Sequence, residues 1–392
     1  MVRLDIWHAM LLGAVAVLIH GDITLSKAIM SINIDVILFL FGMFILGQAL
    51  EESGFLSYLS YSIFKNAKSA SSLLFHVIFG TGFLSAILMN DTLAVVGTPI
   101  VIYLSKQHGL KQASMLLALA FSVTIGSVMS PIGNPQNLLI ALHRGLSNPF
   151  IVFFRYLFVP TVLNLFIVFF VIKLFYSSHF NNNSVNHTPE EIKDPSLALI
   201  SKVSLYILIA MIIVKISLVI FNLDIDFKLT YIALASAAPV ILFSRRRLEV
   251  LRKLDWNTLI FFAAMFILMQ SVWDTGFFQS LIKKNGIDIT STGSILIISV
   301  ILSQFISNVP LVALYLPLLM HAGANTKELM ALAAGSTIAG NLTILGAASN
   351  VIIIQNAEKR DGSTLTFLRF FGIGLPLTLL NLLVYWLYFK LF

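Results

Sequence analysis

Three long, predominantly apolar stretches, residues 150–176, 197–221 and 370–389, constrain this chain more than any other feature. Each is long enough for a helix to cross a hydrocarbon core about 30 Å thick. No water reaches the amides in such a core, so the backbone must satisfy itself by forming helices. Of the 392 residues, 58% are hydrophobic and 11% charged, whereas a soluble domain carries about 25% charged residues. Mean hydropathy is +0.92. The expected fold is an all-α polytopic protein, multi-pass in the cell membrane, with the lipid bilayer as its first partner.

The formal charge of +7 gives no reason to expect nucleic acid, because the basic residues sit in loops between apolar runs rather than along one polar face. The chain has no cysteine, which removes disulfides, thiolate metal ligands and a cysteine nucleophile. Arg3 and the apolar run to Ile19 have the shape of a signal peptide, yet no small-x-small cleavage site follows at His20 and Gly21. Residues 1–33 are therefore expected to hold a retained first helix.

Self-similarity organises the rest. FGMFILGQALEESGF (41–55) matches AAMFILMQSVWDTGF (263–277), residues 90–99 align with 308–317, and TIGSVMSPIGNPQN (124–137) aligns with TIAGNLTILGAASN (337–350). Two repeats follow, 34–176 and 255–392. Segment 177–254 joins them as a polar linker, two connecting helices and a basic loop. Each repeat reads as a full helix, a re-entrant hairpin, a broken transmembrane helix and a closing helix. Five crossings separate the starts of the repeats (34–50, 113–142, 150–176, 197–221, 228–244), and an odd number inverts the second repeat. The basic run Arg245, Arg246, Arg247, Arg252 and Lys253 should face the cytoplasm together with the N-terminus.

The first hairpin is read as arms 76–89 and 92–104 around Asn90-Asp91. At 1.5 Å per residue each arm is about 20 Å long, too short to span alone. The second is read as 295–306 and 311–321 around Ser307-Asn308-Val309-Pro310. The broken helices are expected to unwind at 130–136 and 343–350, where proline, glycine and small polar residues interrupt apolar runs. Interrupted helices in inverted repeats hold substrate and coupling ion near the midplane. Their N-termini suit anions and their C-terminal carbonyls suit cations.

The candidate binding residues are therefore Asn90, Asp91, Thr92, Ser130, Gly133, Asn134 and Asn137 in one half, with Ser307, Asn308, Val309, Thr343, Gly346, Ser349 and Asn350 in the other. Asn90, Asp91, Asn134, Asn308 and Asn350 are the expected ligands if Na⁺ is the coupling ion; otherwise the ion is H⁺. Asp91 is the sharpest candidate, since an ionisable group at membrane depth needs a partner, cation or proton. Its competing role is to cap the helix that follows. Lys215 is read as snorkelling to the interface, and Glu51, Glu52 and Asp274 as interfacial. His76, His143 and His321 lack the spacing of a zinc site. No catalytic residue is expected, because no nucleophile–base pair appears.

Asn90-Asp91, six residues, then Thr98-Pro99, with Gly133-Asn134-Pro135-Gln136-Asn137 and Ser307-Asn308-Val309-Pro310, resembles the ion-transporter superfamily of arsenite permeases, sodium-proton antiporters of that type, and citrate and dicarboxylate symporters. The dicarboxylate branch has Ser-Asn-Thr at both tips. Asn-Asp-Thr and Ser-Asn-Val here are closer to the arsenite-permease branch. The resemblance implies a secondary active transporter for an inorganic anion or metalloid oxyanion, coupled to or exchanging with H⁺ or Na⁺. Its alternatives are a sodium-proton antiporter or a Na⁺-coupled di- or tricarboxylate symporter, with a channel further off. It also implies a homodimer of protomers that each have a scaffold and a moving transport region.

Overall fold

The computed structural model of the chain describes residues 6–64, 67–143, 146, 148–177, 180, 192–221, 223, 225, 227–276, 280, 288–361 and 365–392. Its regular elements are helices: α1 Ile6–His20, α2 Leu25–Ser31, α3 Ile34–Glu52, α4 Phe55–Phe64, α5 Ala70–Leu88, α6 Asn90–Gln107, α7 Gln112–Ser127, α8 Pro135–Ala141 and α9 Pro149–Phe175. After the polar linker come α10 Pro195–Ile220, α11 Leu229–Phe243, α12 Arg247–Arg252, α13 Trp256–Asp274, α14 Thr292–Ile306, α15 Asn308–His321, α16 Thr326–Ile338, α17 Ala348–Asp361 and α18 Phe367–Leu391. Six of these, α3, α5, α9, α10, α13 and α18, are long and apolar enough to cross a membrane. The polar linker that opens the expected segment 177–254 lies mostly outside the described residues.

Most helices begin where a side chain can take up an unpaired amide of the first turn. Asn33, Ser69, Asn148, Asp194, Asp255, Ser291 and Thr366 each accept from the amide three residues on. The second arms of the two hairpins, α6 and α15, start without such a cap.

The helices pack in two groups. One holds α3, α10 and α11, with α1 and α2 against α13. The other stacks α5 and α6 on α7, α14 and α15 on α16, and α9 on α18. Within this second group the halves interlock: α8 of the first half packs on α15 and α16, and α17 of the second half packs on α6 and α7. Glycine permits the tightest crossing, since a Cβ on Gly126 of α7 would run into the backbone of Gly82 in α5.

Several expected boundaries move. The hairpin arms are longer than read, with 19 residues in α5 and 18 in α6, about 28 and 27 Å at 1.5 Å per residue. By length α5 could cross alone, because the helix absorbs Ser71 and Ser72, which interrupt the apolar run. The second broken helix leaves α-geometry at Ala339, with short 3₁₀ turns at Ala339–Asn341 and Ile344–Gly346, and Ser349 and Asn350 are already helical.

The basic loop is tied down by charge. Arg246 donates to Glu249 through Nε and Nη2 at 2.7 Å each and to Asp194 at 3.3 Å. Lys253 donates to Glu52 at 2.8 Å and to Glu249 at 3.1 Å. The hydrogen bonds from Arg246, then Lys253, lower the Glu249 carboxyl from 4.5 to about 2. A depressed carboxylate stabilises the fold fully above its unfolded value and loses that contribution as pH falls through its folded value. Glu249→Gln is therefore expected to flatten the loss of melting temperature between about pH 4.5 and about pH 2. A pH series of thermal melts checks this; identical acid limbs would remove Glu249 from the cause.

Candidate functional site

The breaks in the hairpins share one geometry. Met89 has φ 68° and Ser307 φ 69°, the only positive values at non-glycine positions among the described residues. Such a conformation costs on the order of 1–3 kcal/mol and persists where surrounding structure demands it. Only these single residues leave the helix. Asn90, Asp91, Asn308 and Val309, expected in an unwound tip, lie instead in the first turns of α6 and α15, and Thr92, expected to open its arm, follows them in the first turn of α6. Asp91 is therefore not the N-cap of its helix; that position belongs to Met89, which offers no capping side chain.

Uncapped first turns carry amides in search of acceptors. The Asn90 N–H donates to Gly133 O at 2.9 Å, binding the first tip to the first break. The Asp91 N–H donates to Asn90 Oδ1 at 3.0 Å. In the second tip Ser303 Oγ donates to Asn308 Oδ1. Both tip asparagines thus engage their carbonyl oxygen locally and keep Nδ2 for another acceptor. Neither Nδ2, nor the N–H of Asn308 or Val309, has a partner among the described residues. The Asp91 carboxylate is half-buried and likewise has no partner among them. Thr92 beside it rests on Gly47 of α3, where a Cβ would come within 2.9 Å of Thr92 Oγ1. Gly47→Val is expected to push the first tip off α3 and cut flux several-fold at unchanged expression, read by uptake and immunoblot together.

The breaks are held open by matching asparagines. Asn137 Nδ2 donates to the carbonyls of Ser127, Val128 and Ser130 at 3.1, 3.2 and 3.0 Å. Asn350 Nδ2 donates to those of Gly340 and Thr343 at 2.6 and 3.4 Å. Both amides face their own chain. Asn134 Oδ1 caps α8 through the Asn137 N–H at 2.8 Å, and its Nδ2 donates to Ser127 Oγ at 2.8 Å and Thr337 Oγ1 at 3.3 Å. Gln136 Nε2 also donates to Thr337 Oγ1, and that hydroxyl donates to Asn137 Oδ1, both at 3.3 Å. Thr337 thereby bonds one half to the other.

Ser130 Oγ accepts the Ile132 N–H at 3.3 Å. Gly133 lies too close to the Ser127 backbone for any side chain, and a Cβ on Gly346 would be 2.7 Å from Ala339 O. Gln304 of α14 joins the second hairpin to its break, accepting from Thr343 Oγ1 at 2.8 Å and donating to Ala339 O at 2.9 Å. Ser349 is fully buried, and its Oγ has no partner among the described residues. Gln304, Gln136 and Thr337 were not among the sequence candidates. Gln136 and Thr337 stand within the aligned segments 124–137 and 337–350, while Gln304 is marked only as a polar residue near the end of α14.

The predicted residues thus fall into two tip-and-break pairs joined through Thr337. Unpaired amides at two helix N-termini suit the oxygens of a small anion or oxyacid. The lone carboxylate at Asp91 suits a proton or a cation.

Residues 1–328 match the citrate transporter family, CitMHS. The chain belongs to that family. This citrate transporter family member is also similar to the silicon efflux transporter LSI3 of Oryza sativa subsp. japonica, 27% identical over 94% of this chain and 89% of that protein. It is similar to the putative transporter arsB of Dictyostelium discoideum, 24% identical over 95% and 85% of the two chains. Its fold matches the YdaH transporter of Alcanivorax borkumensis with a TM-score of 0.62 over 90% of this chain and 84% of that one, at 16% identity. The superfamily resemblance carried by the tip and loop motifs holds. The protein is a multi-pass membrane transporter and not an enzyme.

Proposed function

We propose that this family member is a secondary carrier of a small inorganic anion or metalloid oxyanion of arsenite type, exchanging with or driven by H⁺ or Na⁺. The observation that carries the reading is the pair of uncapped helix N-termini after Met89 and Ser307, each presenting a free asparagine Nδ2. A hydroxylated metalloid offers several compact oxygens to such donors. Relatives named for silicon efflux and as arsB support the same class. In this reading the halves are inverted, the second helix group moves against the first, and the carrier works as a homodimer whose N-terminus and 245–253 loop face the cytoplasm.

Flux in proteoliposomes tests it, with arsenite, phosphate, sulfate, citrate, succinate and Na⁺ under imposed Na⁺ or pH gradients. Saturable, gradient-driven uptake of an inorganic member is expected. Uptake confined to citrate or succinate would overturn the substrate class. The unpartnered Asp91 carboxylate favours one second reading, a sodium-proton antiporter, which the same liposomes would reveal as Na⁺-driven pH change with no anion moved.

A further inference from the structure

Unused hydrogen-bonding oxygens gather around the second break. Around the second break Asn341 Oδ1, Ser349 Oγ, Asn350 Oδ1 and Thr378 Oγ1 are all buried without a partner among the described residues, and so is Oγ1 of Thr124, whose methyl would meet a Cβ on Gly340 at 3.2 Å. Two of them, on Asn341 and Thr378, lie where the break meets the closing helix α18. Asn341 is fully buried and Thr378 is 1% exposed.

Gly374, Thr378 and Asn381 follow one another at helical spacing on one face of α18. That face lies on the break. A Cβ on Gly374 would strike Asn341 O and come within 3.1 Å of Leu342 O. Asn341 Nδ2 donates to Asn381 Oδ1 at 3.2 Å, and Asn381 Nδ2 donates to Asn164 Oδ1 of α9 at 2.9 Å. Both N–H groups point away from Asn341, so the chain runs from its free Oδ1 to Asn164 Nδ2, which is also buried without a partner among the described residues, and this polarity enriches the oxygen at the head. The carbonyls of residues 341 and 342 follow the C-terminal end of α16 and carry its partial negative charge.

We propose that Asn341 Oδ1, Thr378 Oγ1 and the carbonyls of Asn341 and Leu342 form a binding site for a monovalent cation of sodium size, made from none of the hairpin-tip residues. All its donors are hard oxygens, which suit Na⁺ better than any softer metal. It contains no carboxylate, so a divalent ion at this depth would lack compensation. The ion would pin the second break to α18. The inference deepens the reading above by giving Na⁺ a seat, and rests on that reading only for the role of Na⁺ in transport.

Thermal unfolding of the purified full chain without substrate, titrated with NaCl against choline chloride, tests the site. The wild type is expected to be stabilised saturably by Na⁺ and less by K⁺. Thr378→Val should raise the half-saturating Na⁺ about tenfold or more while melting in choline stays the same or rises, because an orphan hydroxyl has been removed. Thr378→Ser should keep the wild-type response, and Thr378→Ala, read in the same way, replaces the valine variant if that does not fold. Equal melts in both salts, or an unchanged half-saturation in Thr378→Val, would overturn the site. Flux of the wrong substrate class in liposomes would remove the proposed function without altering this melt response.

Discussion

Asp91→Asn is expected to uncouple transport from the ion gradient, lowering gradient-driven uptake at least about tenfold while substrate exchange without a gradient continues. Asp91 sits in the first turn of α6, after the strained Met89. The helix N-terminus favours its charge by about 0.3–1 kcal/mol, yet a carboxylate at membrane depth costs about 2.5–3.5 kcal/mol. No partner among the described residues offsets the difference. A bound proton or cation does so, and its capture and release is what would couple the cycle. Asparagine keeps the shape and cannot titrate. The aligned position in the second hairpin is Val309, so the geometry of the turn does not need a polar side chain there. Uptake under imposed Na⁺ and pH gradients, paired with counterflow, measures both halves of the expectation. Full gradient-driven uptake by Asp91→Asn would take coupling away from this residue.

Asn137→Asp is expected to leave little folded protein. The amide nitrogen lost is the one that satisfies three buried carbonyls, and an abandoned buried acceptor costs about 1–3 kcal/mol. The new carboxylate oxygen would face those same carbonyls, adding repulsion to the cost of a buried charge. Together these reach several kcal/mol against a net stability of about 5–15 kcal/mol. Asn350→Asp should be milder, since Asn350 serves two carbonyls. Size-exclusion profiles and melting temperatures of the two variants give the order directly. A monodisperse Asn137→Asp with a wild-type melt would deny the clamp.

The helical membrane class was legible because it rests on long apolar patterns. Local geometry repeats with the sequence: Gln48 donates to Glu52 at 3.1 Å, Gln270 donates to Asp274 at 2.9 Å, and Gly54 and Gly276 follow with φ 73° and 67°. The candidate residues were legible as polar interruptions of apolar helices, and their hydrogen bonding was not. Asn90-Asp91 drew attention as the polar pair, but the chain breaks one residue earlier, at a methionine that no turn propensity marks. Asn137 and Asn350 lie in the first turns of the helices after the breaks and reach back to them, and a sequence cannot say whether an amide faces the ligand or its own backbone. Asn164 and Asn381 escaped as isolated polar residues in closing helices, although each follows a proline, Pro160 and Pro376, in the matching helix of its half. Gln304 had no such echo, because Ala86 takes the aligned position in the first half.

The paired tips are tested most directly by arsenite counterflow in proteoliposomes of wild type, Asn90→Ala and Asn308→Ala, with surface-matched protein. Each variant removes one free Nδ2 and leaves the break residue beside it untouched. Saturable counterflow is expected in the wild type, reduced up to about tenfold in both variants, as for loss of one hydrogen bond to a neutral hydroxyl, about 0.5–1.5 kcal/mol. Counterflow equal to wild type in either variant would contradict a binding site shared between the two tips.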